Sequence, residues 1–435
     1  MAVEPAGPAA LAAAAVTDPV DARPARVLIL APHGSYRLAP FSTAAHALGF
    51  NVVIASESRF ALGMPDAEAV HVDFTDPTSA VDRFFAMHRI LPFSTVIGTD
   101  DASTELAALV CARLHLPHNA PESVRISRRK DLARARLFAH GVRVPCHWVL
   151  DRRYNLRPQM EGIVFPVVAK PVALSASRGV IRANNQNELL AAIERIGGIL
   201  SEVSDPDEAS LLLVERFIPG IEVAVEGLLD NACLRVLSIF DKPEPLDGPY
   251  FEETYYITPS MLDLARQDEI RRTVQDACDA YGLREGPVHA ECRINDDGVW
   301  ILEVAARTIG GLCARLLRFG IGFTLEELVL RHATRQPFEL RNPEGAGGVL
   351  MIPIARGGVL KRVEGVLAAE RVPHIIDVHI DVREGYELVP LPEGASYLGF
   401  VFAKAATPTK VLQALRQAHA CLNVVVQPLW KVSLG

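Results

Sequence analysis

The chain has 435 residues, 49% of them hydrophobic and 22% charged, which is globular material long enough for roughly three domains of about 150 residues each. Its 44 Lys and Arg against 52 Asp and Glu give a net charge of −8, arguing against nucleic acid or an anionic membrane as the main partner but leaving room for a local cationic pocket. The 7 cysteines are scattered, with no Cys-x-x-Cys pair. Neither a disulfide framework nor a zinc site is indicated, a reducing cytoplasm is expected, and no apolar run reaches the roughly 18 residues of a membrane span.

Residues 1–25 are Ala/Pro-rich, and no basic stretch precedes the apolar run Leu11–Val16; a disordered tail rather than a secretory signal is expected. Arg26–Ala31 reads as a buried parallel strand, Pro40–Gly49 as a helix, and Asn51–Ser56 and Thr95–Gly98 as further strands. A helix capped by Ser103 runs on to Leu114. This alternation predicts a doubly wound α/β domain over 26–122. Asp100 and Asp101, at a strand's carboxyl end, are either ligand contacts or helix caps.

Ser127–Gly141 is a basic helix containing Lys130. Phe165–Pro171 is a strand ending in Lys170, and the loop Ser175-Ala-Ser177-Arg178-Gly179 precedes the strand Val180–Arg182. Such a group offers a cation and backbone N–H groups to phosphates, although Ser/Gly turns between strands are common. After the helix Glu188–Gly197, the segment Leu211–Glu226 is a strand, a Pro-Gly turn and a second strand. There Phe217, Ile218 and Glu222 supply what a purine nucleoside needs, apolar walls and a hydroxyl acceptor. Strand Leu234–Phe240 leads into a Pro/Gly-rich acidic loop with Lys242, Glu252 and Glu253, long enough to suggest binding.

Helix Gln267–Gly282 precedes a hairpin. Period two puts His289, Glu291 and Arg293 on one face of its first strand, and Ile301, Glu303, Ala305 and Arg307 on one face of its second. A three-residue loop at 296–298 sets Glu291 opposite Glu303. Facing carboxylates repel; either a hard divalent cation neutralises them, or the hairpin is exposed in another register. A helix Leu312–Phe319 follows. The short strands Gly348–Pro353, Val378–Val382 and Gly399–Ala403, with the helix Thr409–Leu422, predict a separate α+β subdomain over 345–435.

Taken in order, these motifs resemble the ATP-grasp superfamily over 26–435. The resemblance implies an N-terminal doubly wound pre-ATP-grasp α/β domain, then a two-lobed ATP-grasp domain over 123–344. Its small lobe would span about 160–225 and its large lobe about 226–344, with the C-terminal α+β subdomain packed on the large lobe. It makes Lys130 and Lys170 the two nucleotide lysines, and Ser175, Ser177, Arg178 and Gly179 the cover over the β- and γ-phosphates. Glu215 would contact the adenine amine, Phe217 and Ile218 form the hinge, and Glu222 binds the ribose. Glu291 and Glu303 would hold Mg²⁺ (or Mn²⁺), two ions in all.

The family pattern Glu-x-Asn-x-Arg here reads Glu303-Val-Ala305-Ala-Arg307, so Ala305 removes the usual third protein ligand. This form, with the stretches Gly347–Val366 and Leu391–Ala405, resembles the L-amino acid ligase branch. That resemblance implies an ADP-forming ligation, in which a carboxylate becomes an acylphosphate that an amine captures. Arg307 would grip the carboxylate or acylphosphate, or else pair with Glu291 or Glu303. His289 would touch substrate or act as base, or serve only structure. Lys242 would reach the γ-phosphate, and Glu252 or Glu253 would bind the second substrate's amino group. The expected partners are two small molecules, a carboxylate and an amine, with a homodimer as the commonest assembly. The alternatives are a biotin-carboxylase-like or purine-pathway ATP-grasp enzyme, or a nucleotide-binding regulator without catalysis.

Overall fold

The computed structural model describes residues 25–58, 67–317, 322–341 and 344–429; the expected N-terminal tail lies outside them except for Ala25. The first sheet is parallel: β1 (Arg26–Leu30), β2 (Asn51–Ser56), β3 (Ala67–His71) and β4 (Thr95–Gly98), in the order β3-β2-β1-β4. The central strands β1 and β2 read as nearly unbroken apolar runs because both faces are covered. Val27 and Ile29 enter one core and Leu28 and Leu30 another. The helices are α1 (Leu38–Ala47), α2 (Pro77–Ile90) and α3 (Asp101–Leu114).

Strand order reverses between β1 and β4, so the crevice at their carboxyl ends is where such sheets place ligands. Asp100, not Ser103, caps α3; Ser103 is the third helical residue and its Oγ accepts from the Asp100 N–H, completing a capping box.

The expected basic helix is two helices, α4 (Pro121–Arg128) and α5 (Lys130–Ala139), because Arg129 is extended at φ −93° and ψ 102°. The break frees the Lys130 N–H to donate to the Val172 carbonyl at 2.8 Å, joining α5 to the small-lobe sheet. That sheet is antiparallel: β5 (His147–Asp151), β6 (Val167–Pro171), β7 (Ile181–Ala183) and β8 (Leu211–Arg216), in the order β5-β8-β6-β7. Helices α6 (Leu156–Gln159), α7 (Gln186–Leu200) and α8 (Pro206–Ser210) intervene. Leu189, Ile193 and Ile196 of α7 cover one face of the sheet with Val167, Ala169 and Val214.

After β8 the Pro-Gly turn carries the chain out of this sheet and into a second, larger one. It contains β9 (Ile221–Asp230), β10 (Cys233–Lys242), β11 (Tyr255–Thr258), β12 (Gly286–Asn295) and β13 (Gly298–Ala305), with α9 (Leu264–Tyr281) packed on it. The C-terminal strands do not form a separate layer. β14 (Ala346–Ile352), β16 (Ile375–Ile380) and β18 (Gly399–Ala405) extend the same sheet, eight-stranded in the order β13-β12-β9-β10-β11-β14-β18-β16. Only β15 (Gly358–Glu364), β17 (Glu387–Leu388) and β19 (Asn423–Gln427) make a sheet of their own. Of the expected helix Leu312–Phe319, the described part holds a 3₁₀ turn, Cys313–Leu316, and residues 318–320 lie outside the description.

Glu291 does face Glu303 across β12 and β13, but by a different route from the expected one. The turn has two residues, with Asn295 opposite Gly298 at φ 116°. A bulge at Leu302 then restores the offset, since Cys292 pairs with Ile301 and Glu291 with Glu303. The bulge corrects the face assignment as well. Ile301 is fully buried beside Val299 and Val304 rather than on the polar side.

Candidate active site

The two sheets, the N-terminal crevice and the C-terminal segment enclose one cavity of about 760 Å³, ample for a nucleotide and a second small molecule. The N-terminal domain supplies Tyr36, Arg37, Asp100 and Asp101, and the small lobe Lys170, Ser175, Ser177 and Glu215. The large sheet adds Glu222, Glu253, His289, Glu291, Glu303 and Arg307; the C-terminal part adds His379, Asp381 and Tyr397.

On the small-lobe side, Lys130 donates to the Leu174 carbonyl at 2.8 Å and lies 3.4 Å from Glu303. Lys170 bonds Glu215, whose other oxygen takes Arg134 Nε at 2.9 Å. No motif marks Arg134, which is 1% exposed, although Lys130, Ala133, Arg134 and Leu137 trace the buried face of α5 at helical spacing. Burial works against the Glu215 charge, but Arg134 and Lys170 outweigh it and hold the carboxyl at about 2. One Glu215 oxygen thus holds Lys170 and the other Arg134, while the residue also lines the cavity. Below its unfolded value a depressed carboxyl costs stability as it takes up its proton, so this contribution is full above the ordinary carboxylate range and fades as pH falls toward 2. Glu215→Gln is expected to lose about 3 kcal/mol at neutral pH and to flatten the acid limb of a denaturation-against-pH series; an unchanged limb would refute this.

The hinge groups are partly spent. Phe217 N–H donates to Pro166 O at 2.9 Å, and the Ile218 carbonyl accepts from Arg293 at 2.8 Å; both side chains line the cavity. Glu222 holds Lys242 at 2.8 Å and Arg293 Nε at 3.0 Å. Lys242 is the centre of this end. Its ammonium contacts Glu222, Glu253 and, at 3.2 Å, Glu291, and those three carboxylates outweigh burial to raise its pKa well above the ordinary lysine range. Glu253 belongs to the site and Glu252 does not. Glu252 turns away and accepts from the Ile354 N–H at 3.1 Å.

Arg178 and Gly179 also point elsewhere, at Glu393, Glu202 and Pro392; of the loop, Ser175, Ala176 and Ser177 face the cavity.

His289 Nδ1 lies 3.3 Å from Glu226, too poorly aligned for a hydrogen bond, and Nε2 lies 3.7 Å from Glu291. Burial disfavours the charged ring, yet Glu226 and Glu291 raise it to about 9. Arg307 pairs with neither Glu291 nor Glu303. Its Nε donates to Asp101 at 2.7 Å and Nη1 to the Thr308 carbonyl at 3.0 Å. Asp101 thus reaches from the N-terminal crevice to fix the guanidinium, and Arg37 bonds both Asp100 and the Ile309 carbonyl. This link joins residues 206 apart in sequence, so no local pattern announced it.

The donors suit a hard divalent cation. Glu291 and Glu303 face each other as candidate oxygen donors, partly exposed to the cavity and each close to a lysine that balances its charge. Ala305 is 2% exposed, pairs with His289 across the hairpin, and brings no ligand. A second group, Asp230, Glu285 and His332, is bridged by the Arg335 guanidinium, 3.0 Å from Asp230 and 3.1 Å from Glu285.

Comparison with known proteins matches residues 42–118 to the ATP-grasp N-terminal domain, 163–315 to the ATP-grasp domain and 350–427 to the L-amino acid ligase C-terminal domain 2. Three such domains in this order make the chain an ATP-grasp protein. Its last part matches the C-terminal domain of L-amino acid ligases, and that is the branch it resembles. Alanine–anticapsin ligase of Bacillus subtilis strain 168 is 23% identical over 67% of this chain and 67% of its own length. The crystal structure of an L-amino acid ligase from Bacillus licheniformis superposes with a TM-score of 0.81 at 24% identity, covering 93% of this chain and 100% of that one. Carboxyaminoimidazole ribonucleotide synthase from Aspergillus clavatus, complexed with ATP, gives 0.71 at 16%, covering 92% and 98%. These structures share the fold of the chain. No described helix is long and apolar enough to cross a membrane.

Proposed function

We propose that the protein is an ATP-dependent, ADP-forming carboxylate–amine ligase that joins an amino acid to a second amino acid or another carboxylate. The observation that carries this is the facing pair Glu291 and Glu303, set in one cavity with Lys130, Lys170 and Arg307. Lys130 and Lys170 would bind the nucleotide's phosphates and neutralise charge as one carboxylate attacks the γ-phosphate. Arg307, already fixed by Asp101, offers its remaining fork nitrogen to the acyl oxygen or the phosphate carried on it. Divalent cations held by Glu291 and Glu303 would add charge neutralisation at the phosphates. Glu253, beside Lys242, is the acidic group open to the amine of the second substrate. The free cysteines support a reducing cytoplasm as the setting.

The test is a phosphate-release screen over pairs of amino acids and carboxylates, with bicarbonate as a separate arm. ADP and phosphate are expected only when a carboxylate and an amine are both present. Turnover that needs bicarbonate would favour a carboxylase, and ATP binding without ADP formation in any pair would favour a regulator.

A further inference from the structure

The loop expected over the phosphates is not free on its outer side. Ser175, Ala176 and Ser177 look into the cavity, the last two in left-handed backbone at φ 55° and 54°, and this turn sends Arg178 and Gly179 outward. Gly179 N–H donates to the Pro392 carbonyl at 2.9 Å, and Arg178 Nε donates to the Glu393 carbonyl at 3.0 Å. The Glu393 carboxylate takes Arg195 Nη2 from α7 at 2.8 Å, and Arg195 also reaches the Tyr250 hydroxyl. The C-terminal segment is itself a tight turn. Gly394 N–H closes on Pro390 O at 2.9 Å, and a Cβ on Gly394 would meet Val389 O at 1.9 Å. Immediately beyond, Ala395, Ser396 and Tyr397 line the same cavity that Ser175 and Ser177 enter. One short stretch therefore grips the back of the small-lobe loop and walls the space that loop covers.

We propose that residues 392–397 are a latch that couples closure of the phosphate loop to occupation of the substrate end, with Glu393 as its positioning residue. The proposal rests on the ligase reading. A loop closed over the reacting phosphate keeps water out. With the latch loosened, water in place of the amine attacks the acylphosphate, breaking the bond that carries the phosphoryl group. The carboxylate is regenerated and inorganic phosphate leaves, so the net reaction is ATP plus water to ADP and phosphate. The Arg195–Glu393 pair is largely exposed, with side chains 42% and 39% accessible, and pairs of that kind add little to stability. Its loss should register in coupling rather than in folding.

The experiment measures ADP and amide product in one reaction, with the ATP KM and the melting temperature, for Glu393→Ala, Arg195→Ala and the double variant. Wild type is expected to form one ADP per amide. Each single variant should form ADP in several-fold excess over amide at an unchanged melting temperature, and the double variant should be no worse than either single one. A one-to-one ratio with unchanged ATP KM in all three variants overturns the latch while leaving the ligase reading standing. Wild type that makes no amide with any substrate pair overturns the reading, and the latch with it.

Discussion

Glu303→Gln is expected to lose about a thousandfold or more in kcat while the protein stays folded. The side chain is on the cavity face of β13, and the neighbouring Val304 does the packing, at 1% exposure. The amide keeps the shape but removes the charge that faces Glu291 and balances Lys130 at 3.4 Å. Relief of the two facing carboxylates offsets the lost contact to Lys130, so little change in folding stability is expected. ADP formation and the thermal transition, measured on the same preparation, decide the matter. A Gln variant that retains most of its turnover would sink the assignment of Glu303 to the metal.

Lys242→Met is expected to destabilise by about 3–5 kcal/mol, because it leaves buried carboxylates without their cation, and to lower Tm by on the order of 10 °C. Lys242 is 6% exposed, and its ammonium is the shared partner of Glu222, Glu253 and Glu291. The sign with pH is set by Glu253. Burial lifts its carboxyl to about 7 even against the lysine's opposing charge. A carboxyl raised on folding binds its proton more tightly in the native state, so its cost grows as pH climbs from the ordinary carboxylate range through 7. The deficit of the Met variant should accordingly be larger at pH 8 than at pH 5, and Glu253→Gln in the same chain should recover part of it. A Tm within about 2 °C of wild type at both pH values would show that the three carboxylates do not depend on Lys242.

The parts of this molecule that a reader of the sequence can find are those written in local patterns. The parallel strands Arg26–Leu30 and Asn51–Ser56 carry continuous apolar runs, and Val167–Pro171 ends on its lysine. The pairing of Glu291 with Glu303 came from alternation, yet through two offsetting errors. The turn is one residue shorter than the turn chemistry suggested, and the bulge at Leu302, which no residue type marks, makes up the difference. What stayed hidden is what distant segments do to one another. The sequence leaves Asp101 as either a ligand contact or a cap, and only the fold brings Arg307 to it from the far strand. It offers Lys242 to the γ-phosphate, and only β10 shows its side chain set among three glutamates. Arg178 and Glu252 were drawn into the site by their neighbours in sequence, whereas each side chain turns outward because a backbone partner waits there. Arg134 is legible in principle, since it follows Lys130 by four residues on the buried face of α5.

The continuity of the large sheet bears on how this chain can be cut or recombined. β11 is four residues long and meets β10 at a single pair, Asp241 with Ile257, whereas all four of its residues pair with β14. The strand just beyond Glu253 is thus held chiefly by the C-terminal part. Thr254 and Glu252 are tied there as well, through the N–H groups of Met351 and Ile354. A truncation or a chimera joined near residue 344 would strip β11 of its main partner, leave an apolar edge open to aggregation, and release Glu253 from the cluster it anchors. Grafting a C-terminal domain from another ligase is therefore a change to the acidic wall of the reaction chamber, and the workable seam lies on the N-terminal side of β11.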